Sequence, residues 1–244
     1  MSILLASLWL VLGCTSEPPE RVALPSPAPA PPASPVGVAL PSGEACTQRI
    51  VRSGREVRST NAGANATVPE GLVLPPWPDY WDPVVNRTIV PRIDGQFTGT
   101  TEEIMAWGAC KWGFDPEVVR AVAWTESSWF QDKAADVVDE QRLCVGSYTA
   151  PCPTSFGLLQ IKHIYRPGSY PLSAESTAFN VDYGLAVIRG CYEGRVLYLR
   201  PPYQAGDLWG CLGWHYSGEW MTPLAQRYMT EVSRNLHDKP WTEL

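Results

Sequence analysis

Glu126 is the residue whose setting suggests chemistry. It follows a mostly apolar stretch (Val118, Val119, Ala121, Val122, Ala123 and Trp124, broken by Arg120) and stands between Trp124 and Trp129. A carboxyl placed against indoles loses hydration, so its pKa rises and it stays protonated near neutral pH. A protonated carboxyl is what general-acid cleavage of a glycosidic bond requires. Taken alone, Glu126 equally fits a helix-end carboxylate bonded to backbone amides. Hydrolysis with inversion would need a second carboxylate about 6.5–9.5 Å away to activate water. Asp132, Asp136, Asp139 and Glu140 follow in the next loop as candidates, or as solvated loop acids. No Cys-x-x-Cys pair occurs, and His163, His215 and His237 are scattered, so the sequence implies neither a metal site nor a cofactor.

The elements that must position Glu126 are helical. Thr100 and Glu103 form a capping box, Ile104, Trp107 and Cys110 follow at helical spacing, and Gly113 supplies the stop. Asp115 caps the next helix with Pro116 at its first position, and this helix runs into Glu126. It has almost no polar face, which predicts burial. A third helix is expected over 177–192, where Val181, Leu185, Ile188 and Tyr192 recur with helical period. A fourth contains Leu208, Leu212 and His215. Thr222 and Pro223 open a fifth, with Leu224, Tyr228 and Val232 as its stripe. No alternating strand pattern of useful length appears. The class is mainly α, with room for a small hairpin around Cys144 to Cys152.

The chain divides by composition. Ile3 to Leu12 carries no charge and is too short to span a bilayer, which takes about 20 apolar residues. It reads as the core of an export signal over 1–13, although no Lys or Arg precedes it. Leu12-Gly13-Cys14 resembles the lipobox of bacterial lipoproteins, which implies cleavage before Cys14, lipidation of its thiol and a membrane anchor. Thr15 after that Cys favours outer-membrane delivery in a Gram-negative envelope. Residues 14–43 are Pro-rich, with nine prolines between Glu17 and Gly43, and read as an extended, semi-rigid tether. Residues 44–100 are rich in turn signals. There Trp77, Tyr80 and Trp81 either stack on sugars or clamp this extension to the main domain over 101–244.

Cys14 apart, six cysteines remain, and export to an oxidising compartment makes three disulfides plausible. Cys144 and Cys152 bracket a short loop and pair first. Cys191 with Cys211, and Cys46 with Cys110, is a guess for the remaining four, which allow three pairings. The net charge of −6 argues against nucleic acid as a partner.

Four motifs occur in a familiar order: Glu126-Ser127, Gly157-Leu158-Leu159-Gln160, Phe179-Asn180-Val181 and Tyr216-Ser217-Gly218. Over about residues 101–235 the chain resembles the soluble-lytic-transglycosylase group of the lysozyme-like superfamily. The family pattern is Glu-Ser, Gly-Leu-Met-Gln, Asn-Ile and Tyr-Asn-x-Gly. Leu159 and Val181 are volume-conserving replacements, whereas the last motif lacks the Asn and is one residue short. The resemblance implies a lysozyme-like helical domain that cleaves peptidoglycan between N-acetylmuramic acid and N-acetylglucosamine. Glu126 would be its sole acid and base, closing a 1,6-anhydro ring without water or metal. It also implies substrate contacts from Ser127, Trp129, Ser155, Gly157, Gln160, Asn180 and Tyr216, with Trp129 and Phe156 packing on sugar rings. The rival readings are a lysozyme-type hydrolase and a non-catalytic, tethered glycan-binding lipoprotein.

Overall fold

The computed structural model describes residues 33–244. The signal segment, Cys14 and the Pro-rich stretch up to residue 32 lie outside the described residues. Among those described, three short helices lead the chain: α1 (Gly43–Thr47), α2 (Ala62–Ala66) and α3 (Val85–Thr88). The main body follows as α4 (Thr101–Trp112), α5 (Pro116–Ser127), α6 (Leu172–Glu175), α7 (Thr177–Tyr192), α8 (Leu208–Ser217) and α9 (Pro223–Asp238). No helix among the described residues is long and apolar enough to cross a membrane.

The helix boundaries follow local chemistry. Thr100 and Glu103 exchange both capping-box bonds, and Gly113 closes α4 in the left-handed conformation. Asp115 caps α5 ahead of Pro116, and Thr222 caps α9 ahead of Pro223. The stripe on α9 is rotated from the expected one. Ala225, Tyr228, Met229 and Val232 are buried, while Leu224 is exposed. The spacing 225, 228, 229, 232 covers a wider apolar face than residues four apart do.

Helix α7 forms the centre of the core, and every one of its residues is buried. It packs against α4, α6 and α8, while α9 lies on α5 and α8. A polar network pins α7 to α4. Asp182, fully buried, accepts from Lys111 Nζ at 2.7 Å, from Trp112 Nε1 at 2.7 Å and from the Gly95 amide at 2.9 Å. Lys111 also bonds Asp94 at 2.8 Å, so its charge is paired within the fold.

The small hairpin around Cys144 to Cys152 is present as the first pair of a three-stranded antiparallel sheet of two-residue strands, in the order β1 (Ala134–Ala135), β2 (Ser155–Phe156), β3 (Ile161–Lys162). The Val138–Cys152 bridge extends the first pair toward the disulfide loop. Strands this short carry no alternation, so sequence period could not reveal them.

Among the described residues three disulfides are present: Cys46–Cys110, Cys144–Cys152 and Cys191–Cys211. The first ties α1 to α4, and the third joins α7 to α8. Residues 44–100 belong to the same body. Trp77 and Trp81 are buried with ring centroids 4.7 Å apart, and Trp81 sets an edge on Trp214 at 5.6 Å. These two indoles are therefore a clamp and not a sugar platform.

The described end of the Pro-rich stretch is not a free tether. Residues 33–43 dock on the body. Prolines offer acceptors and no donors, and arginines supply the missing half. Arg189, buried, donates to the carbonyls of Ser34 and Pro35 at 2.8 Å each, and Arg92 donates to that of Pro41 at 2.8 Å.

Candidate active site

Glu126 lies in the last turn of α5, and only 9 % of it is exposed. Packing of α9 on α5 brings Tyr228 to it, and the Tyr228 hydroxyl donates to Glu126 Oε1 at 2.6 Å. Oε2 accepts no hydrogen bond from any described residue and is not sealed from solvent. Burial pushes the Glu126 pKa up to about 7, against the Tyr228 hydrogen bond and the Lys133 charge, which favour the carboxylate. Asp136 and Glu231 add repulsion in the same direction as burial. Lys133 also donates to the Glu126 backbone carbonyl, which fixes the ammonium beside this turn.

The indoles are not the walls expected of them. Residues two apart on a helix do not share a face, so Trp124 points away from Glu126. The chain turns at Ser128 and Trp129 through left-handed conformations (φ 51° and 67°). Trp129 then runs back to donate to the Arg120 carbonyl at 3.0 Å and stacks on Trp241 at 5.8 Å. It is 1 % exposed, so it cannot meet a sugar. Phe156, buried among Tyr148, His163 and Tyr170, cannot either.

The residues expected to touch substrate mostly build the site instead. Ser127 Oγ donates to the carbonyls of Ala123 and Leu158, tying the end of α5 to the following loop. Gly157 has φ 76°, and a Cβ there would lie 2.2 Å from Asn180 Nδ2 and 2.3 Å from the Ser173 carbonyl, so only glycine fits. Asn180, fully buried, accepts from the Leu159 amide at 2.7 Å and donates to Phe156 and Ser173 carbonyls at 2.8 Å. Gln160 Nε2 bonds its own loop at Gly157 (2.7 Å), while its buried Oε1 has no partner among the described residues. Ser155 Oγ donates to Asp136 at 2.6 Å.

The N-terminal extension reaches the site through polar relays. Asn61 bonds the Trp129 carbonyl (2.8 Å) and the Gln131 amide (2.9 Å), and Gln131 in turn accepts from the Leu158 amide at 3.0 Å. Thus residues 44–100 help to hold both loops that flank Glu126.

Tyr216 is half exposed and stacks flat on Tyr228, with centroids 4.5 Å apart and planes at 9°. It separates two cavities. One, about 310 Å³, is lined by Thr125, Leu224, Arg227, Tyr228 and Glu231 besides Tyr216. The other, about 440 Å³, has Tyr80, Lys162, Arg166, Tyr198 and Trp214 in its walls. Glu126 lines neither directly, but Tyr228, which holds it, lines the first. Tyr228 was legible only as one member of the apolar stripe on α9, and nothing local marks its hydroxyl as the partner of a carboxyl 102 residues away.

Of the loop acids, Asp136 alone bears on Glu126. Burial pulls its pKa up, but the Ser155 hydrogen bond and Lys162, at 3.2 Å, outweigh that and hold it below the usual range, so it stays ionised. Asp132, Asp139 and Glu140 are exposed, and Glu140 pairs with Arg142.

Tyr228→Phe is expected to remove the bond that favours the carboxylate. Glu126 would then titrate higher, by about one to two pH units for a hydrogen bond to a charged group. Activity that requires the protonated acid is lost as pH rises through this pKa, so the alkaline limb of the pH–rate profile should move up. A limb that stays in place would show that Tyr228 does not set this ionisation.

Comparison with protein-family models, with curated proteins and with solved structures found no match.

Proposed function

We propose that the chain is a lysozyme-like lytic transglycosylase that cleaves the β-1,4 bond between N-acetylmuramic acid and N-acetylglucosamine in peptidoglycan. The observation that carries this reading is the Glu126 carboxyl: buried, with a pKa near 7, one oxygen held by Tyr228 and the other open. Such a group is divided between acid and base at neutral pH, as a residue with both roles needs. Protonated Glu126 gives its proton to the bridging oxygen as the bond breaks. The muramyl acetamido group stabilises the cation at C1. The resulting carboxylate takes the proton of the C6 hydroxyl, and that oxygen closes on C1 to form the 1,6-anhydro ring. Lys133 and Tyr228 favour the carboxylate between the two steps. Tyr216 offers the exposed ring face for a sugar, and Asn180, Gly157 and Ser127 shape the neighbouring loop.

A second reading, hydrolysis, is favoured by one observation: Asp136 is ionised and near enough to raise the Glu126 pKa. The Ser155 and Lys162 contacts would orient it toward a water. A lipid anchor at Cys14 would place either enzyme on the envelope, facing the glycan.

The products decide. Residues 33–244, folded under oxidising conditions, should release muropeptides from purified sacculi that end in anhydro-muramic acid, one water lighter than hydrolytic products. Reducing ends, abolished by Asp136→Asn, would instead establish the hydrolase. Retained sacculus binding without release would leave a glycan-binding protein.

A further inference from the structure

The 440 Å³ cavity beside Tyr216 has features that cleavage at Glu126 does not call for. Its walls come from separate parts of the chain: Tyr80 from the N-terminal extension, Lys162 and Arg166 beside the sheet, Tyr198 from the loop before α8, and Trp214 from α8 itself. Two cations face one carboxylate, Glu219, and Glu219 forms no ion pair with a described residue. Lys162 is already engaged by Asp136 at 3.2 Å. Arg166 forms no ion pair with any described residue. Its Nη1 makes two long contacts, at 3.3 Å each, to the Tyr80 hydroxyl and the Tyr165 carbonyl. Its other donors have no described partner. The guanidinium is nevertheless held in place, 5.5 Å from the Trp214 ring centroid. A cation packed on an indole is fixed without its N–H fork being used up.

We propose that this cavity receives a carboxylate carried on the substituent of the muramyl sugar, with Arg166 as its partner. The inference rests on the glycan reading above and names which glycan: an anionic, substituted strand in preference to a neutral one. Arg166 presents planar paired donors that match a carboxylate. The neighbouring tyrosines supply faces for the sugar to which it is attached. His215, in the same wall, contributes no competing charge, because burial and then Arg166 lower its pKa to about 4. A chain of net charge −6 thus carries, beside Tyr216, a local cation with no ion-pair partner among the described residues. That is how an acidic protein can hold an anionic polymer: by a short-range contact, since long-range attraction is absent.

The test is binding in a Glu126→Gln background, where the ligand is not consumed. Two probes of equal length are compared by calorimetry: a peptide-bearing N-acetylglucosamine–N-acetylmuramic acid oligomer, and a neutral N-acetylglucosamine oligomer. The anionic probe should bind about tenfold tighter at low salt. Arg166→Gln should abolish that preference with the neutral affinity unchanged, and Arg166→Lys should restore part of it. Independently of any change at Arg166, added salt should weaken the anionic complex and spare the neutral one. Equal affinities for the two probes, or an equal loss on both with Arg166→Gln in a variant whose melting temperature is intact, would overturn the proposal. Tight binding of the neutral probe alone would do the same. Failure of both probes to bind would overturn the glycan reading and this inference together.

Discussion

Glu126→Gln should lower muropeptide release by about a thousandfold or more, within the range expected when a positioned acid–base group is lost. The loss should fall on kcat, because the amide keeps the shape of the side chain and its Oε1 can still accept from Tyr228. The same substitution has a second, opposite effect on stability. Glu126 has a folded pKa of about 7 against the ordinary value of 4.5. Its raised pKa contributes stability below pH 4.5, which is lost as pH rises toward 7 and is absent above it. A shift of this size corresponds to something on the order of 3 kcal/mol. Gln does not titrate, so the variant should gain on the natural protein by about that amount between pH 4.5 and pH 8. Chemical denaturation at the two pH values measures the difference without reference to any fixed cost of burying the amide. Equal pH dependence in the two proteins would show that the carboxyl is not desolvated, and the acid–base assignment would lose its physical basis.

Asn180→Ala should destabilise the fold by about 3 kcal/mol, since it breaks three buried hydrogen bonds and strands their backbone partners. Those partners are the Leu159 amide and the carbonyls of Phe156 and Ser173, all within 2.8 Å of the side chain. Leu159 belongs to the loop after β2, which lies against the end of α5 through the Ser127 bond to Leu158, and the Ser173 carbonyl belongs to α6. Activity should therefore fall further than the folded fraction does. Coupling to Gly157 supplies a stringent check. Gly157→Ala alone sets a Cβ against Asn180 Nδ2, a conflict that vanishes once Asn180 is alanine. Its cost should be smaller in the Asn180→Ala background, although the Ser173 carbonyl and the left-handed backbone remain obstacles. Strict additivity would mean that the two residues do not share one packing site.

The sequence by itself determined the elements that local chemistry encodes. The caps at Thr100, Asp115 and Thr222, the glycine stop at Gly113 and the span of α7 were readable because each depends on residues within one or two turns. Of the three cysteine pairs, only Cys144–Cys152 was legible, because it spans a short loop; the four cysteines left allow three pairings, and only the packing of α1 on α4 and of α7 on α8 selects the one present. Glu126 stood out by its apolar approach, which is again a local signal.

What surrounds Glu126 was decided only in three dimensions. The tryptophans next to it in sequence turn away, one because i and i+2 diverge on a helix, the other because two left-handed residues fold it back onto Trp241. Its partner, Tyr228, arrives from another helix by packing, and so does the Asp136 charge, held by Ser155 and Lys162 on facing strands. The docking of residues 33–43 likewise depends on Arg92 and Arg189, which lie far along the chain and donate to carbonyls that composition does not reveal. Helix ends and turns are short-range, so the order of residue types specifies them. The proton affinity of a carboxyl depends on every charge, donor and low-dielectric surface within several ångströms, and which groups those are is fixed only when the helices pack.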